Sequence, residues 1–117
     1  MAIISEFPLY EVAFYHAPLR KNNVEVAENA DFIWPYYREV VGSGHRVRSL
    51  KELQEKAKAF GLPVEDYKYY IQSRKIPDYT ETSGFGLGWE RFVQGLLKMP
   101  YIYSASAFPR VHTTIQP

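Results

Sequence analysis

Three glycines alternate with larger residues in the stretch GFGLGWER, residues 84–91, and an acid and a base follow them directly. Because glycine has no β-carbon, this alternation would leave one face of a strand flat, so that a planar group could lie on the backbone. Arg91, in the first turn of the following helix, would then be placed to pair with a phosphate or stack on a ring. The alternative is a glycine-rich strand packed tightly under a helix, with Arg91 in an ordinary ion pair.

The same stretch does not fit the common phosphate-binding motifs. A dinucleotide fingerprint requires G-x-G-x-x-G, whereas the spacing here is G-x-G-x-G. A Walker loop is excluded because no Gly-Lys-Ser/Thr follows the glycines. The pattern therefore indicates a flat platform and not a loop that wraps a phosphate.

The composition limits the other functions that this chain could have. With 117 residues, 46% hydrophobic and 23% charged, it is predicted to be one globular domain. The absence of cysteine excludes a disulfide scaffold, thiolate metal sites and a cysteine nucleophile. A formal net charge of +1 argues against a large basic face for nucleic acid, although a local patch remains possible. No apolar run is long enough to cross a membrane, so we expect a soluble, cytoplasmic protein without a membrane partner.

The elements that must position these residues divide into a β-rich first part and a helical second part. Polar residues 16–23 read as a turn or loop. Strand composition, with an interruption near residues 28 and 29, predicts strands over 2–7, 10–15, 24–34 and 36–48.

Three helices are expected after residue 48. Ser49 and Glu52 form a capping box, and Gly61 supplies a left-handed stop, so the first helix lies between them. A second helix is predicted over 63–73 and a third from about Trp89. The buried stripe of the third helix is predicted to consist of Phe92, Val93, Leu96 and Leu97. Strands followed by helices without strict alternation predict an α+β fold, an antiparallel sheet with helices packed on it.

The stretch GFGLGWER resembles motif 3 of the class II aminoacyl-tRNA synthetases, within their aspartate/asparagine/lysine branch. The eight-residue separation of Asp31 and Glu39 is similar to the asparaginyl side of that branch, and the archaeal asparagine synthetase related to it is an equally close match. Further segments resemble the same branch in the same order: EFP at 6–8 with AFY at 13–15, DFIWP at 31–35, EVVGSGHR at 39–46, YKYY at 67–70 and FPR at 108–110.

The resemblance implies an ATP-binding site with bound Mg²⁺. Gly86 and Gly88 match the glycines that form the floor beneath the adenine. Arg91 matches the arginine that stacks on the adenine and pairs with the γ-phosphate. Glu39 matches the acid that holds Mg²⁺ against the phosphates, and Asp31 matches its helper, although two surface acids are the alternative.

The resemblance also implies an amino-acid subsite. Arg46 matches the arginine that reads the side-chain carboxylate or amide of bound aspartate or asparagine, and Gly84 is assigned to the same subsite. On the residues alone, an arginine at position 46 would more often be a solvated strand residue. No residue of this chain is assigned a catalytic role.

Motif 1, motif 2 and an anticodon-binding barrel are not found in residues 1–117. The resemblance therefore implies the C-terminal half of a catalytic domain, truncated and folded as a single domain over 1–117. We expect an ATP- and Mg²⁺-binding half-site of a ligase, inactive alone and completed in a homodimer or a heterocomplex by a chain that carries motifs 1 and 2. Direct contact with tRNA is not expected. The alternative is a non-catalytic paralogue that binds a nucleotide, an amino acid or a synthetase.

Overall fold

A computed structural model describes residues 1–111 of the chain, and its six strands form two sheets. One is a four-stranded antiparallel sheet with the strand order β1-β4-β5-β6, and the other is the antiparallel pair β2-β3. The strands are β1 (Ala2–Ser5), β2 (Pro18–Lys21), β3 (Val24–Ala27), β4 (Asn29–Trp34), β5 (Arg38–His45) and β6 (Ser83–Leu87). Together with the helices described next, they confirm the predicted α+β class.

The three helices are α1 (Leu50–Ala59), α2 (Lys68–Gln72) and α3 (Trp89–Leu96). The serine half of the capping box predicted for α1 is confirmed, since the Glu52 amide donates to Ser49 Oγ at 3.3 Å, whereas the Glu52 side chain makes no return bond among the described residues. Gly61 has a φ of +64°, the left-handed value expected after this helix. The second helix is shorter than predicted, because residues 64–67 form successive turns before α2 begins. None of the helices in the described part of the chain is long and apolar enough to cross a lipid bilayer.

The chain divides into two compact units. The first consists of Met1–Ile4, Asp31–Gly42 and the residues from Gly86 onward. The second consists of Ser5–Ala30 and Ser43–Phe85.

The hydrophobic core of the second unit lies where α1 and α2 meet the chain around Phe14. Its buried side chains are Phe14, Val47, Leu53, Ala57 and Ile71. Phe14 makes edge-on ring contacts with Tyr67 at 5.2 Å and Tyr70 at 6.2 Å between centroids. Burial of these aromatic and aliphatic groups is the main term that stabilises the unit.

Two predictions in the second unit are wrong. Residues 10–15 are not a strand, because Pro8 starts a turn in which the Glu11 amide donates to the Pro8 carbonyl at 3.0 Å. Residues 16–23 are not a loop, because β2 pairs with β3 as a hairpin. Asn22 and Asn23 form its turn with φ values of 49° and 63°, a left-handed pair that asparagine tolerates better than most residues.

The first unit is built around Trp34. Its ring lies 6.0 Å from the ring of Phe92 on α3, and a β-carbon on Gly95 would be only 3.0 Å from Trp34 Cε3. The glycine therefore allows α3 to lie directly against the indole. The predicted buried stripe of α3 is wrong at Leu96 and Leu97, which are 60% and 63% exposed.

Strand β1 lies at an edge of the four-stranded sheet, and all four of its residues are exposed. An exposed edge with apolar side chains, here Ile3 and Ile4, promotes pairing with another strand.

We therefore expect two copies of the 117-residue chain to associate through β1, by pairing or exchange of this strand about a two-fold axis. Light scattering at micromolar concentration should give a mass above the 13.6 kDa of one chain. Ile3→Lys should shift the protein toward the monomer, because a charge at the edge opposes pairing. The matched control is Ile76→Lys, which changes an exposed isoleucine outside the strands. A parent protein that is monomeric at these concentrations would contradict the prediction.

Candidate functional site

The residues that the sequence singles out fall into two groups, one in each unit. The first unit contains the residues assigned to ATP and Mg²⁺: Asp31, Glu39, Gly86, Gly88 and Arg91. The second unit contains both residues assigned to the amino acid, Arg46 and Gly84.

Two carboxylates converge on Gly42 in the first unit. Asp31 lies on β4 and Glu39 on β5. A side chain on Gly42 would collide with the Glu39 carboxylate and would lie 3.6 Å from Asp31 Oδ1. The glycine therefore provides the space in which both acids approach the same point of the sheet.

The protonation of Asp31 is sensitive to what occupies this space. Burial raises the pKa of the Asp31 carboxyl above its ordinary value, because the charged form is less well solvated. A cation beside it would favour the ionised form instead. Within residues 1–111 no cluster of three or more His, Cys, Asp or Glu side chains could enclose a metal ion. Protein ligands alone would therefore leave a cation here incompletely coordinated.

Arg91 lies beside these acids without forming an ion pair with an acid among the described residues. It is in the first turn of α3, and its Nη1 donates to the Glu39 main-chain carbonyl at 2.6 Å. The Gly88 amide donates to the Val40 carbonyl at 2.9 Å, which joins the start of α3 to β5. The ion pair considered as an alternative from the sequence is therefore not formed, and the other guanidinium N–H groups have no partner in the described chain.

Gly86 has open space above its backbone. A β-carbon placed there would meet no heavy atom within 4 Å. Tight packing is therefore not the reason for glycine at this position. At Gly88 a β-carbon would make only ordinary contacts, 3.6 Å from Arg91 Cβ and 3.7 Å from the Val40 carbonyl oxygen.

In the second unit, the Arg46 guanidinium is enclosed but incompletely bonded. Its Cζ lies 4.4 Å from the centroid of the Tyr15 ring, a cation–π contact. Its Nη1 is buried and has no hydrogen-bond partner. A β-carbon on Gly84 would lie 2.9 Å from Nη2 and 3.3 Å from Nε, so this glycine gives the guanidinium its space. Buried donors are normally satisfied, so an acceptor from outside the protein, such as a water or a ligand atom, would complete the bonding of Nη1.

The cavity that Arg46 faces is largely aromatic. It has a volume of about 340 Å³ and is lined by Phe14, Tyr15, Arg46, Tyr67 and Tyr70. A neighbouring cavity of about 440 Å³ lies along β4, β5 and β6 and includes Gly84 and His45. His45 Nδ1 lies 3.1 Å from Ser83 Oγ in this cavity wall.

The sequence pattern did not identify His16, which belongs to the same unit. Its ring fills the space next to Gly44, where a β-carbon would overlap Nδ1. Burial, together with the positive charges of Arg46 and Lys56, lowers the pKa of His16 to about 4. Lys56 is itself buried, donates to the His16 carbonyl and has a pKa lowered by desolvation. Gly44, two residues before Arg46, was the sequence feature from which a side chain packed against this strand could have been predicted.

Comparisons with known proteins agree on one family. A family model described as tRNA synthetases class II (D, K and N) matches residues 1–112. Asparagine–tRNA ligase from Thermus thermophilus is 34% identical over 115 residues, which are 97% of this chain and 26% of that protein. Asparaginyl-tRNA synthetase from Pyrococcus horikoshii superposes with a TM-score of 0.84 at 29% identity, over 98% of this chain and 27% of that one. The Entamoeba histolytica enzyme in complex with asparaginyl-adenylate gives 0.82 at 32% identity, with coverage of 98% and 26%. This chain thus spans about a quarter of the length of these relatives.

The burial of His16 predicts a dependence of folding stability on pH. Its pKa is 6.5 when unperturbed and about 4 in the folded chain, so the unfolded chain binds the proton more tightly. The contribution of neutral His16 is therefore fully present above pH 6.5 and is lost as the pH falls toward 4. We expect urea denaturation to show that the free energy of unfolding falls by an amount on the order of 2 kcal/mol between pH 7 and pH 5. His16→Gln should flatten this decline and the control His45→Gln should retain it. Equal slopes in the two variants would contradict the assignment.

Proposed function

Because this chain belongs to the class II tRNA synthetases (D, K and N), we propose that it carries an ATP- and Mg²⁺-binding part of a ligase site that activates aspartate or asparagine as an adenylate. The observation that carries the proposal is the convergence of Asp31 and Glu39 on Gly42, with Arg91 bonded to the Glu39 backbone. Two acids that can bind a cation thus belong to the same compact unit as a guanidinium whose remaining donors can bind a phosphate.

The ATP subsite of this proposal uses the open backbone of Gly86 as the floor for the adenine. The space above Gly86 is free, and the Arg91 guanidinium retains donors that the described chain does not occupy. A delocalised cation can stack on a purine and donate to a phosphate oxygen at the same time. Gly88 fixes the start of α3 to β5 and so sets the position of Arg91.

The residues present fit a magnesium ion that is held partly by substrate. Mg²⁺ is commonly bound by one or two carboxylates together with phosphate oxygens and water, and Asp31 and Glu39 supply two carboxylates. When bound, the ion would neutralise charge on the phosphates. A cation at this position would offset the desolvation that raises the pKa of the Asp31 carboxyl.

The amino-acid subsite of the proposal is the Arg46 guanidinium. A carboxylate or amide oxygen of aspartate or asparagine would accept from the buried Nη1, which has no other partner. Gly84 keeps the guanidinium in place because any side chain there would displace it. Pyrophosphate exchange measured with aspartate and with asparagine, in the parent and in Arg46→Gln, distinguishes the two amino acids.

Adenylate formation needs groups that this chain does not span. Attack of a carboxylate on the α-phosphorus requires stabilisation of the developing charge from several sides, and the chain covers only 26% of a full-length relative. We propose that the remaining groups come from the part that carries motifs 1 and 2, in a homodimer or a heterocomplex, and that tRNA is not contacted by this part directly. Alone, residues 1–117 would bind substrates without joining them.

A second candidate function is a non-catalytic module that binds a nucleotide, an amino acid or a synthetase. The exposed apolar ridge of α3, with Leu96 and Leu97, favours a role in protein interaction. The two candidates differ in whether adenylate is ever formed.

ATP with Mg²⁺ is expected to bind the 117-residue chain weakly, with a dissociation constant on the order of millimolar, because only part of the phosphate contacts is present. Arg91→Ala should abolish the binding measured by calorimetry. Gly86→Val should do the same by filling the floor, without loss of stability, because the space there is open. The matched control is Arg20→Ala, an exposed arginine of the second unit. Unchanged binding in Arg91→Ala and Gly86→Val would refute the ATP assignment.

Asparaginyl- or aspartyl-adenylate synthesis should be undetectable with the isolated chain. The measurement is ATP–pyrophosphate exchange with aspartate or asparagine, in a preparation free of host synthetase. Exchange that is removed by Arg91→Ala would contradict the proposal that further groups are required. Addition of a chain carrying motifs 1 and 2 should produce exchange, with a preference for one amino acid that Arg46→Gln alters. Absence of exchange in that complex would favour the non-catalytic module.

A further inference from the structure

A cavity of about 270 Å³ in the first unit lies outside the carboxylate pair and the glycine platform. It is formed by the connection between β4 and β5, by α3 and by the segment that follows α3. None of the described residues that line it is acidic. The lining groups that can recognise a ligand are Tyr36, Arg38, Arg91, Gln94, Tyr101 and Tyr103.

Two of these side chains are held in an unfavourable backbone conformation. Tyr36 has a φ of 71° and Arg38 a φ of 65°, within one turn closed by a 2.9 Å bond from the Tyr37 amide to the Trp34 carbonyl. Residues with a β-carbon rarely adopt such angles, and glycine or asparagine is the usual choice. Tyr36 is fully exposed, so its burial does not compensate for this strain. Retention of strained residues with large polar side chains is typical of ligand-contacting turns.

The two arginines of the cavity keep free donors. Arg38 makes no hydrogen bond or ion pair with any side chain of the described part of the chain, and Arg91 uses Nη1 for the Glu39 carbonyl. Two guanidinium groups in a cavity whose described lining contains no acid can provide a planar, charge-assisted site for a phosphate.

The tyrosines supply a stacking surface beside the arginines. The rings of Tyr101 and Tyr103 are 5.1 Å apart between centroids and inclined by only 8°. They are 57% and 47% exposed, so part of the pair remains accessible. Gln94 holds this segment by donating from its amide to the Met99 carbonyl at 3.2 Å. Parallel aromatic rings beside arginines are the arrangement that binds nucleobases of any sequence.

We propose that this cavity binds a single nucleotide unit, with the base stacked on the tyrosines and the phosphate held by Arg38 and Arg91. Its volume lies just below the usual range of ligand pockets, so it can take at most one nucleotide unit. Stacking does not depend on adenine, and neither carboxylate of the first unit takes part. The site shares Arg91 with the proposed ATP subsite but requires no Mg²⁺. The nucleotide can come from solution or from single-stranded RNA, and the second outcome would overturn the expectation that this part does not contact tRNA directly.

The test uses the full 117-residue chain in a magnesium-free buffer with a chelator, so that the ATP proposal is not involved. Cytidine 5′-monophosphate is titrated by calorimetry, and a labelled oligocytidylate of about eight nucleotides is titrated by fluorescence anisotropy. The parent should bind the mononucleotide with a dissociation constant on the order of millimolar. Tighter binding of the oligonucleotide, beyond the number of units it offers, would identify RNA as the source, whereas equal binding per unit would identify the free nucleotide.

The variant Arg38→Gly tests ligand binding independently of folding stability. Glycine relieves the backbone strain, so the melting temperature should rise by about 3 °C. Loss of the guanidinium should weaken binding of either probe by about tenfold. Tyr103→Leu, which keeps an apolar side chain without the ring, should weaken binding to a similar extent.

The matched control is Lys98→Gly. Lys98 is also an exposed cation of the first unit with a positive φ, 53°, but it does not line the cavity. This variant should gain stability and retain binding. Failure of the parent to bind both probes, or equal binding by the parent, Arg38→Gly and Tyr103→Leu, would overturn the proposal. A lower melting temperature of Arg38→Gly would overturn the role assigned to strain.

Discussion

Several charged or polar side chains of this protein, two of them assigned to the proposed site, occupy space that a β-carbon would otherwise fill. Glu39 lies over Gly42, the His16 ring over Gly44, and the Arg46 guanidinium over Gly84. In each pair a polar or charged group is pressed against the backbone of a strand, where its rotamers are few. The positions of these groups therefore depend on the missing side chain of a neighbour as much as on their own hydrogen bonds.

The second unit holds three basic side chains, Lys56, His16 and Arg46, that are buried or partly buried. Burial is the main cause of the lowered pKa of both Lys56 and His16, and the charges of Arg46 and Lys56 add to the shift of His16. A carboxylate or an amide arriving at Arg46 would relieve a buried, unpaired donor that the folded chain itself leaves unsatisfied. The same burial reduces the stability of the unit, so binding of such a group at Arg46 would also stabilise its fold.

Sequence patterns predicted those features that local rules control. The cap at Ser49, the left-handed Gly61 and the break between β3 and β4 follow from capping and turn chemistry. The pair Asn22 and Asn23 is typical of a hairpin turn, but the residues before it are polar and were not predicted as a strand. The exposure of Leu96 could not be predicted, because a helical stripe does not reveal how far its packing surface extends.

The grouping of the candidate site residues was also predictable in part. Spacing and resemblance identified Asp31, Glu39 and Arg91 as residues of one group, and the structure places all three in the first unit. The packing of His16 on Gly44, and the unpaired Nη1 of Arg46, depend on residues distant in sequence. Such contacts arise from tertiary packing, which neither periodicity nor local spacing encodes.

Trp34, which packs against α3, also makes the fluorescence of the two units different. Both tryptophans, Trp34 and Trp89, belong to the first unit, and the second unit has tyrosines but no tryptophan. Emission excited at the red edge of the absorption band therefore originates from the first unit alone, with Trp34 beside Phe92 and Trp89 largely in water. Far-ultraviolet dichroism from α1 arises from the second unit. The two signals distinguish a chain that melts in one step from a chain whose units melt separately.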